Sequence, residues 1–438
     1  MKKLITLLLA SLLLAASYFP IAAQPAQHVR VLKAVRAGRM IDTINGRVLQ
    51  NQIILIENDK ITAVGPDLAI PEGAEIIDLS TKTVLPGLMD AHVHISGDPT
   101  LGGLGSRSVR TGVDQATTSH VFAERTLMAG FTTVRDLGSV EFVALALKRA
   151  IEDKHIEGPR LLVANYYIGA TGSPADIGGG SPLNGSRLPP EMTGVADGPD
   201  AIRQKVRWNI RLGADVIKFG ASSGVLSDEK VVGVAKYTKG EMNALVDEAH
   251  RLGVKVAAHA HGTEAIKMAV RAGVDSIEHG SLIDDEGIRL MKEKGTYLTG
   301  DIYVTDYILS EYAKLGAPEL TLEKERVVGK AQRENFRKAV KAGVKIAFGT
   351  DAGVYPHGTN ARQFARMVEW GMTPMAAIQA ATKNNADLFG MTDSVGSITP
   401  GKFADLIAVS GEPLSDISTL EKVEFVMKGG TVYKAIQK

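Results

Sequence analysis

The 438-residue chain contains no cysteine. Disulfides, thiolate metal ligands, a cysteine nucleophile and a lipid-modified cysteine are therefore excluded. An excess of one charge is also lacking, because 50 Lys and Arg stand against 49 Asp and Glu. That balance gives no electrostatic reason to bind nucleic acid or an anionic membrane surface. After the first two dozen residues no segment has the roughly 20 consecutive apolar residues of a membrane helix. Dinucleotide fingerprints, phosphate-cradling P-loops and low-complexity tails are missing as well.

The first residues differ from the rest. "MKKLITLLLASLLLAASYFPIAAQ" carries two lysines, an apolar core and small residues at Ala22 and Ala23. It reads as a secretory signal peptide over residues 1–23. Cleavage removes two lysines and no acid, leaving 48 basic against 49 acidic groups. The mature protein is expected to be soluble and exported, secreted or periplasmic, with no membrane contact after cleavage. Its 45% hydrophobic and 23% charged content suits a packed globular chain.

Six segments share one punctuation: "MAGFTTV", "RLGADVI", "RLGVKVA", "RAGVDSI", "EKGTYLT" and "KAGVKIA". In each, a glycine (Gly130, Gly213, Gly253, Gly273, Gly295, Gly343) follows a helix-like stretch and precedes a short apolar run. Glycine there is the left-handed cap that ends a helix. "TKGEMNALVDEAHRLG" opens with a capping box, Thr238 to Glu241. The apolar runs suit parallel strands covered on both faces.

Eight such strands are expected near 84–94, 132–137, 160–168, 215–220, 255–260, 275–279, 296–303 and 344–350. Helix and strand in alternation mean an α/β fold, and eight parallel strands mean a (β/α)₈ TIM barrel. A doubly wound open sheet is the alternative, disfavoured by the missing dinucleotide fingerprint. The two ends read as β-hairpins, with turns at Asn45-Gly46 and Asn58-Asp59. Residues 24–85 and 396–438 are therefore expected to pair into one small β-sandwich, flanking a barrel over residues 86–395. Loops 95–113 and 169–198 are long and leave the C-terminal face of the barrel, where a lid could form.

Ten histidines are present. His28, His120, His155 and His250 read as surface or packing residues. "DAHVHI" puts His92 and His94 two apart on the first strand, so both imidazoles face one way. "VAAHAHG" puts His259 at the end of the fifth strand, "SIEHG" puts His279 at the end of the sixth, and "AFGTDAG" puts Asp351 at the end of the eighth. A barrel gathers its strand ends in one mouth. Imidazole and carboxylate suit zinc and similar divalent ions, with manganese or cobalt able to substitute. Four histidines and an aspartate exceed one open tetrahedral site, which suggests two ions about 3.5–4 Å apart.

Lys218 ends the fourth strand, in "GADVIKFGAS". It either snorkels into water or serves the site. An ammonium has no lone pair and two divalent ions would repel it. A neutral lysine can instead take up carbon dioxide, giving a carbamate whose two oxygens can bridge both ions.

"LPGLMDAHVH", "ADVIKFGASSGVLS", "VAAHAHG", "SIEHG", "FGTDAGVYPHGTN" and "GSITPGKFADLIAV" together resemble the amidohydrolase superfamily. Within it they are similar to the group of prolidase-like dipeptidases and imidazolonepropionase-related proteins. The resemblance spans nearly all of the mature chain. It implies that His92, His94 and Asp351 hold one metal ion, His259 and His279 the other, and that carboxylated Lys218 bridges them.

The implied chemistry is hydrolysis of an amide or peptide bond before a C-terminal amino acid by a metal-bridging hydroxide, with Asp351 moving the proton. The substrate class is a dipeptide or N-acyl amino acid with a free carboxylate, ochratoxin-type amides included. Tyr237 matches a tyrosine that binds the substrate carboxylate in prolidase-like relatives. His261 and His357 are further substrate-binding candidates. Relatives often carry a "TGGHGD"-like loop after the third strand; here the stretch is "TGSPADIGGG", without the histidine. That departure bears on prolidase or Xaa-Arg specificity. Relatives often assemble, so a homo-oligomer is one option and the oligomeric state is left open. An imidazolonepropionase-like ring opener is the alternative function, disfavoured by the signal peptide. A non-catalytic binding protein is the remote one, disfavoured by the full set of six ligand candidates.

Overall fold

A computed structural model describes residues 31–100, 111–173, 175–176, 193–227 and 229–436. The signal-peptide segment, His28 and most of the two long loops lie outside these residues.

Both chain ends build one seven-stranded sheet. β1 (Leu32–Asp42), β2 (Arg47–Glu57), β3 (Lys60–Gly65) and β4 (Glu75–Pro86) come from the N-terminal side. The order across the sheet is β15-β14-β13-β4-β1-β2-β3, with β13 (Leu406–Val409), β14 (Val423–Lys428) and β15 (Thr431–Lys434) from the C-terminal side. β4 runs antiparallel to β13 and parallel to β1. The expected hairpin turns are present, with positive φ at Asn58 and Gly46. Residues from both ends share one buried core, Val35, Ile54, Ile61, Val84, Leu406 and Phe425 among them.

Gly87 separates β4 from the next layer. A Cβ at that position would lie 2.2 Å from Thr132 Oγ1, so only glycine fits. The strand expected over 84–94 therefore divides between two sheets.

β5 (Leu88–Val93), β6 (Phe131–Asp136) and β7 (Arg160–Val163) form a three-stranded parallel sheet. β8 (Val216–Gly220), β9 (Lys255–Ala260), β10 (Ser276–His279), β11 (Tyr297–Thr299) and β12 (Ile346–Ala347) form a five-stranded parallel sheet. These are the eight expected positions, with the third and the last two strands shorter than expected. Backbone hydrogen bonds cross both seams between the sheets. Ile168 N donates to Lys218 O at 2.9 Å and Gly220 N to Ile168 O at 2.9 Å. On the other side Ala91 N donates to Phe348 O at 2.8 Å, and His94 N to Ala352 O at 2.7 Å.

Helices precede most of these strands, as the six glycines require. All six have φ between +72° and +104°, the left-handed region that ends a helix without a Cβ clash. The Thr238–Glu241 capping box opens the helix Lys239–Arg251. Every residue of β5, β6, β8, β10 and β11 is buried, as strands covered on both faces are. Among the described residues no helix is long and apolar enough to cross a membrane.

Candidate active site

Five different strand ends bring the candidate ligands together. The ring centres of His92 and His94 lie 5.4 Å apart, those of His92 and His279 5.1 Å, and those of His259 and His279 4.5 Å. Asp351 Oδ1 sits 3.4 Å from His92 Nε2 and 3.3 Å from His94 Nε2. Lys218 Nζ is 3.5 Å from His92 Nε2. Its side chain is 1% exposed, so the snorkelling reading is corrected: the lysine points into the barrel, not into water.

The turns that present these groups are tight. His279 and Asp351 both have left-handed backbones, φ +71° and +58°. Such conformations cost about 1–3 kcal/mol each and collect at functional sites. Gly349 and Gly353 let the Asp351 turn approach closely. A Cβ at Gly349 would lie 2.1 Å from Thr299 Cγ2, and one at Gly353 2.7 Å from His94 O.

His94 and His279 are each oriented through one ring nitrogen. His94 Nδ1 donates to Gly138 O at 3.0 Å. His279 Nδ1 donates to Asp301 Oδ2 at 2.9 Å, and Gln332 Nε2 holds the other oxygen of Asp301 at 2.7 Å. His92 Nδ1 faces Glu278 Oε2 at 3.2 Å. Those partners leave Nε2 as the free lone pair on His94 and His279; the His92 Nδ1 contact with Glu278 is close but is not a hydrogen bond. His259 Nε2 lies beside Gly224, where a Cβ would come within 2.9 Å of it.

Electrostatics follow from burial and these partners. Burial, with Lys218 nearby, holds His92 neutral by pushing its pKa well below the ordinary value. Burial does the same to His259 and His261. Burial opposes the charged form of His94 and His279 as well, but Asp351 and Asp301 raise them. Burial pulls the Lys218 ammonium down to about 8, against the opposing pull of Glu278 and Asp351. Burial alone would raise the Asp351 carboxyl, yet the imidazoles around it hold it below its ordinary value.

This donor set fits a divalent ion. Among the described residues His92, His94 and Asp351 form one group whose ligand atoms lie within 4.8 Å of one another, and His259, His261 and His279 form another. Asp351 Oδ1 and His259 Nε2 are buried without a hydrogen-bond partner. Neutral nitrogen lone pairs aimed at a carboxylate oxygen call for a cation among them.

Three substrate-binding expectations fare differently. His261 does enter the mouth, stacked on His279 at 4.6 Å with Nδ1 2.8 Å from Ser281 Oγ. Tyr237 does not join the cluster. Its hydroxyl donates its one proton to Ala196 O at 2.7 Å, leaving none for a carboxylate in this conformation. His357 is also corrected. Its Nε2 lies 3.1 Å from His94 O and 3.0 Å from Gly97 O, and its ring stacks on Phe122 at 5.5 Å, so it braces the loop behind His94. His120, His155 and His250 are exposed, as expected.

Several site residues escaped the sequence reading: Glu278, Asp301, Gln332, Tyr167 and Arg135. Arg135 is buried inside the barrel, donating to Ala91 O at 2.7 Å and to Glu278 Oε1 at 2.9 Å. The signal for Arg135 and Glu278 was available in "TVRD" and "SIEH". Each places a charge in a strand buried on both faces, the same anomaly that marked Lys218.

Comparison with known proteins gives the family. The amidohydrolase family model matches residues 83–434. Ochratoxinase from Aspergillus niger is 32% identical over 414 residues, covering 89% of this chain and 84% of that protein. The crystal structure of a Xaa-Pro dipeptidase with bound methionine in the active site is similar at 40% identity and a TM-score of 0.86, over 92% of this chain and all of that one. A prolidase complexed with N-methylphosphonate-L-proline is similar at 30% identity and a TM-score of 0.83, again over 92% and 100%. These neighbours carry a TIM-barrel-type α/β fold. On the family match and the ochratoxinase relative, the chain belongs to the amidohydrolase family and is a hydrolase acting on C–N bonds.

Proposed function

We propose that the chain is an exported, binuclear metal-dependent amidohydrolase that cleaves the amide bond before a C-terminal amino acid. The observation that carries this reading is the convergence of His92 Nε2, His94 Nε2 and Asp351 Oδ1 within 3.4 Å, with Lys218 Nζ 3.5 Å from His92 Nε2. Relatives with a bound methionine and a phosphonyl proline support a substrate that ends in an amino acid. The signal peptide over residues 1–23 supports export. The eight parallel strands with hydrogen bonds across both seams support one closed barrel over residues 86–395. The shared core of the seven-stranded sheet supports one β module made by residues 24–85 and 396–438.

His92, His94 and Asp351 would hold one divalent ion and His259 and His279 a second, with Lys218, as its carbamate, between them. Zinc suits these ligands. Bound there, such ions supply a Lewis acid for the amide carbonyl and lower the pKa of water toward neutrality. Asp351 accepts the proton of the attacking water at a carboxylate oxygen and returns it to the leaving nitrogen. Asp301 keeps His279 in the tautomer that presents Nε2, and Glu278 lies against His92 Nδ1. His94 is partly open, its side chain 31% exposed, and marks a side from which substrate could enter.

The test is a turnover survey of the zinc-loaded mature protein against dipeptides, N-acyl amino acids and imidazolone propionate. Cleavage of the first two classes is expected. Turnover of imidazolone propionate alone would replace this reading with ring opening.

A further inference from the structure

One more polar atom lies in the mouth. The Tyr167 hydroxyl is buried and has no hydrogen-bond partner among the described residues. A Cβ built on Gly220 would lie 2.8 Å from the Tyr167 hydroxyl oxygen. Gly220 follows Lys218 by two residues on β8, so both face the barrel interior. Gly220 also pairs in register with His259. The Tyr167 ring centre is 5.7 Å from Lys218 Nζ and 6.1 Å from the His259 ring. The phenol thus stands one pleat beyond Lys218, toward the end of the strands where substrate enters. Tyr166 turns away and packs edge-on to Phe142 at 5.3 Å.

A buried hydroxyl without a partner is unfavourable unless a ligand supplies one. Tyr237 cannot take this part, because its proton goes to Ala196 O. Glycine at 220 keeps the space over β8 open for the phenol.

We propose that Tyr167 is a catalytic residue whose hydroxyl donates a hydrogen bond to the carbonyl oxygen of the scissile amide as that oxygen becomes negative. The inference rests on the amide-hydrolase reading above. As the water oxygen adds to the carbonyl carbon, the C=O π pair moves onto oxygen, and the phenol binds that charge without giving up its proton. Collapse restores C=O and breaks the C–N bond. The nitrogen leaves with the proton that Asp351 took from the water.

The experiment is Tyr167→Phe in the zinc-loaded mature protein, assayed on an N-acyl amino acid that the wild type cleaves. Loss of one such donor lowers kcat about 10²-fold. KM is expected to stay within about threefold, metal content and Tm to stay unchanged, and binding of an N-phosphonyl amino acid to weaken about as much as kcat. Unchanged kcat would overturn the inference. So would a rise in KM alone, which marks a ground-state contact, or loss of metal, which marks an anchor for the Lys218 group. If the wild type cleaves no amide, the underlying reading fails. Equal phosphonate binding by both proteins would then still decide against Tyr167 separately.

Discussion

Glu278 joins Arg135 to His92: one carboxylate oxygen accepts from the Arg135 guanidinium at 2.9 Å, and the other faces His92 Nδ1 at 3.2 Å. All three side chains are buried in the barrel interior. The arrangement sets a carboxylate oxygen against His92 Nδ1, a contact at hydrogen-bond distance that lacks hydrogen-bond geometry. It also pairs a charge on β6 with one on β10.

Removing that carboxylate charge should therefore be felt at the metal. Glu278→Gln is expected to weaken divalent-ion affinity about 10- to 100-fold, the usual cost of losing a group that orients a ligand histidine. Competition against a chromogenic chelator measures it. The variant should also melt earlier, because Arg135 loses its buried partner. An affinity equal to the wild type would show that His92 is oriented by packing alone.

Asp351 is assigned both a ligand and a proton-transfer part. Asp351→Asn keeps the size of the side chain and removes the base. Turnover is expected to fall at least about 10²-fold, by the scale of general acid–base catalysis, with an unchanged circular dichroism spectrum. Wild-type rates would remove Asp351 from the proton path.

His357 separates a structural part from a functional one. Its ring nitrogen bonds to the carbonyls of His94 and Gly97 and its face lies on Phe122. His357→Ala is expected to lower Tm while KM for an N-acyl amino acid stays within about twofold, because a ring buried behind the loop touches no substrate. A large rise in KM at unchanged Tm would restore it as a substrate-binding residue.

The sequence and the structure agree where one element determines its own conformation. The six capping glycines needed only a helix end, and all six adopt the left-handed region. His92 and His94 needed only strand alternation. Lys218 was legible because a charge in a doubly covered strand is anomalous. Tyr237 and His357 were less legible for a different reason. Each is close to the mouth in sequence, but the direction of its polar atom depends on a partner far along the chain, Ala196 in one case and Gly97 in the other. Asp301 was invisible because it lies two residues past the end of β11, in a turn whose course no periodicity predicts.

Acid should loosen one contact far from the mouth. Glu248, on the helix Lys239–Arg251, is buried beneath Arg207, Arg251 and Arg203. The hydrogen bond from Arg207, with the two other guanidinium groups, holds its carboxyl down at about 2. A lowered folded-state pKa means stability that is present above the ordinary glutamate range and lost as pH falls through it toward 2. The Tm difference between wild type and Glu248→Gln is expected to be full at pH 7 and to shrink between about pH 4.5 and 2. A difference independent of pH would mean that the guanidinium contacts contribute no charge stabilisation.

The central claim is that the clustered histidines, Asp351 and Lys218 hold catalytic metal ions. Metal content per folded chain, by inductively coupled plasma mass spectrometry on the wild type and on Lys218→Ala, tests it most directly. Two divalent ions are expected in the wild type. Lys218→Ala should lose metal together with activity, and a short carboxylic acid should restore part of both. A wild type that turns over substrate without bound metal, or a Lys218→Ala protein that keeps both ions, would contradict the account.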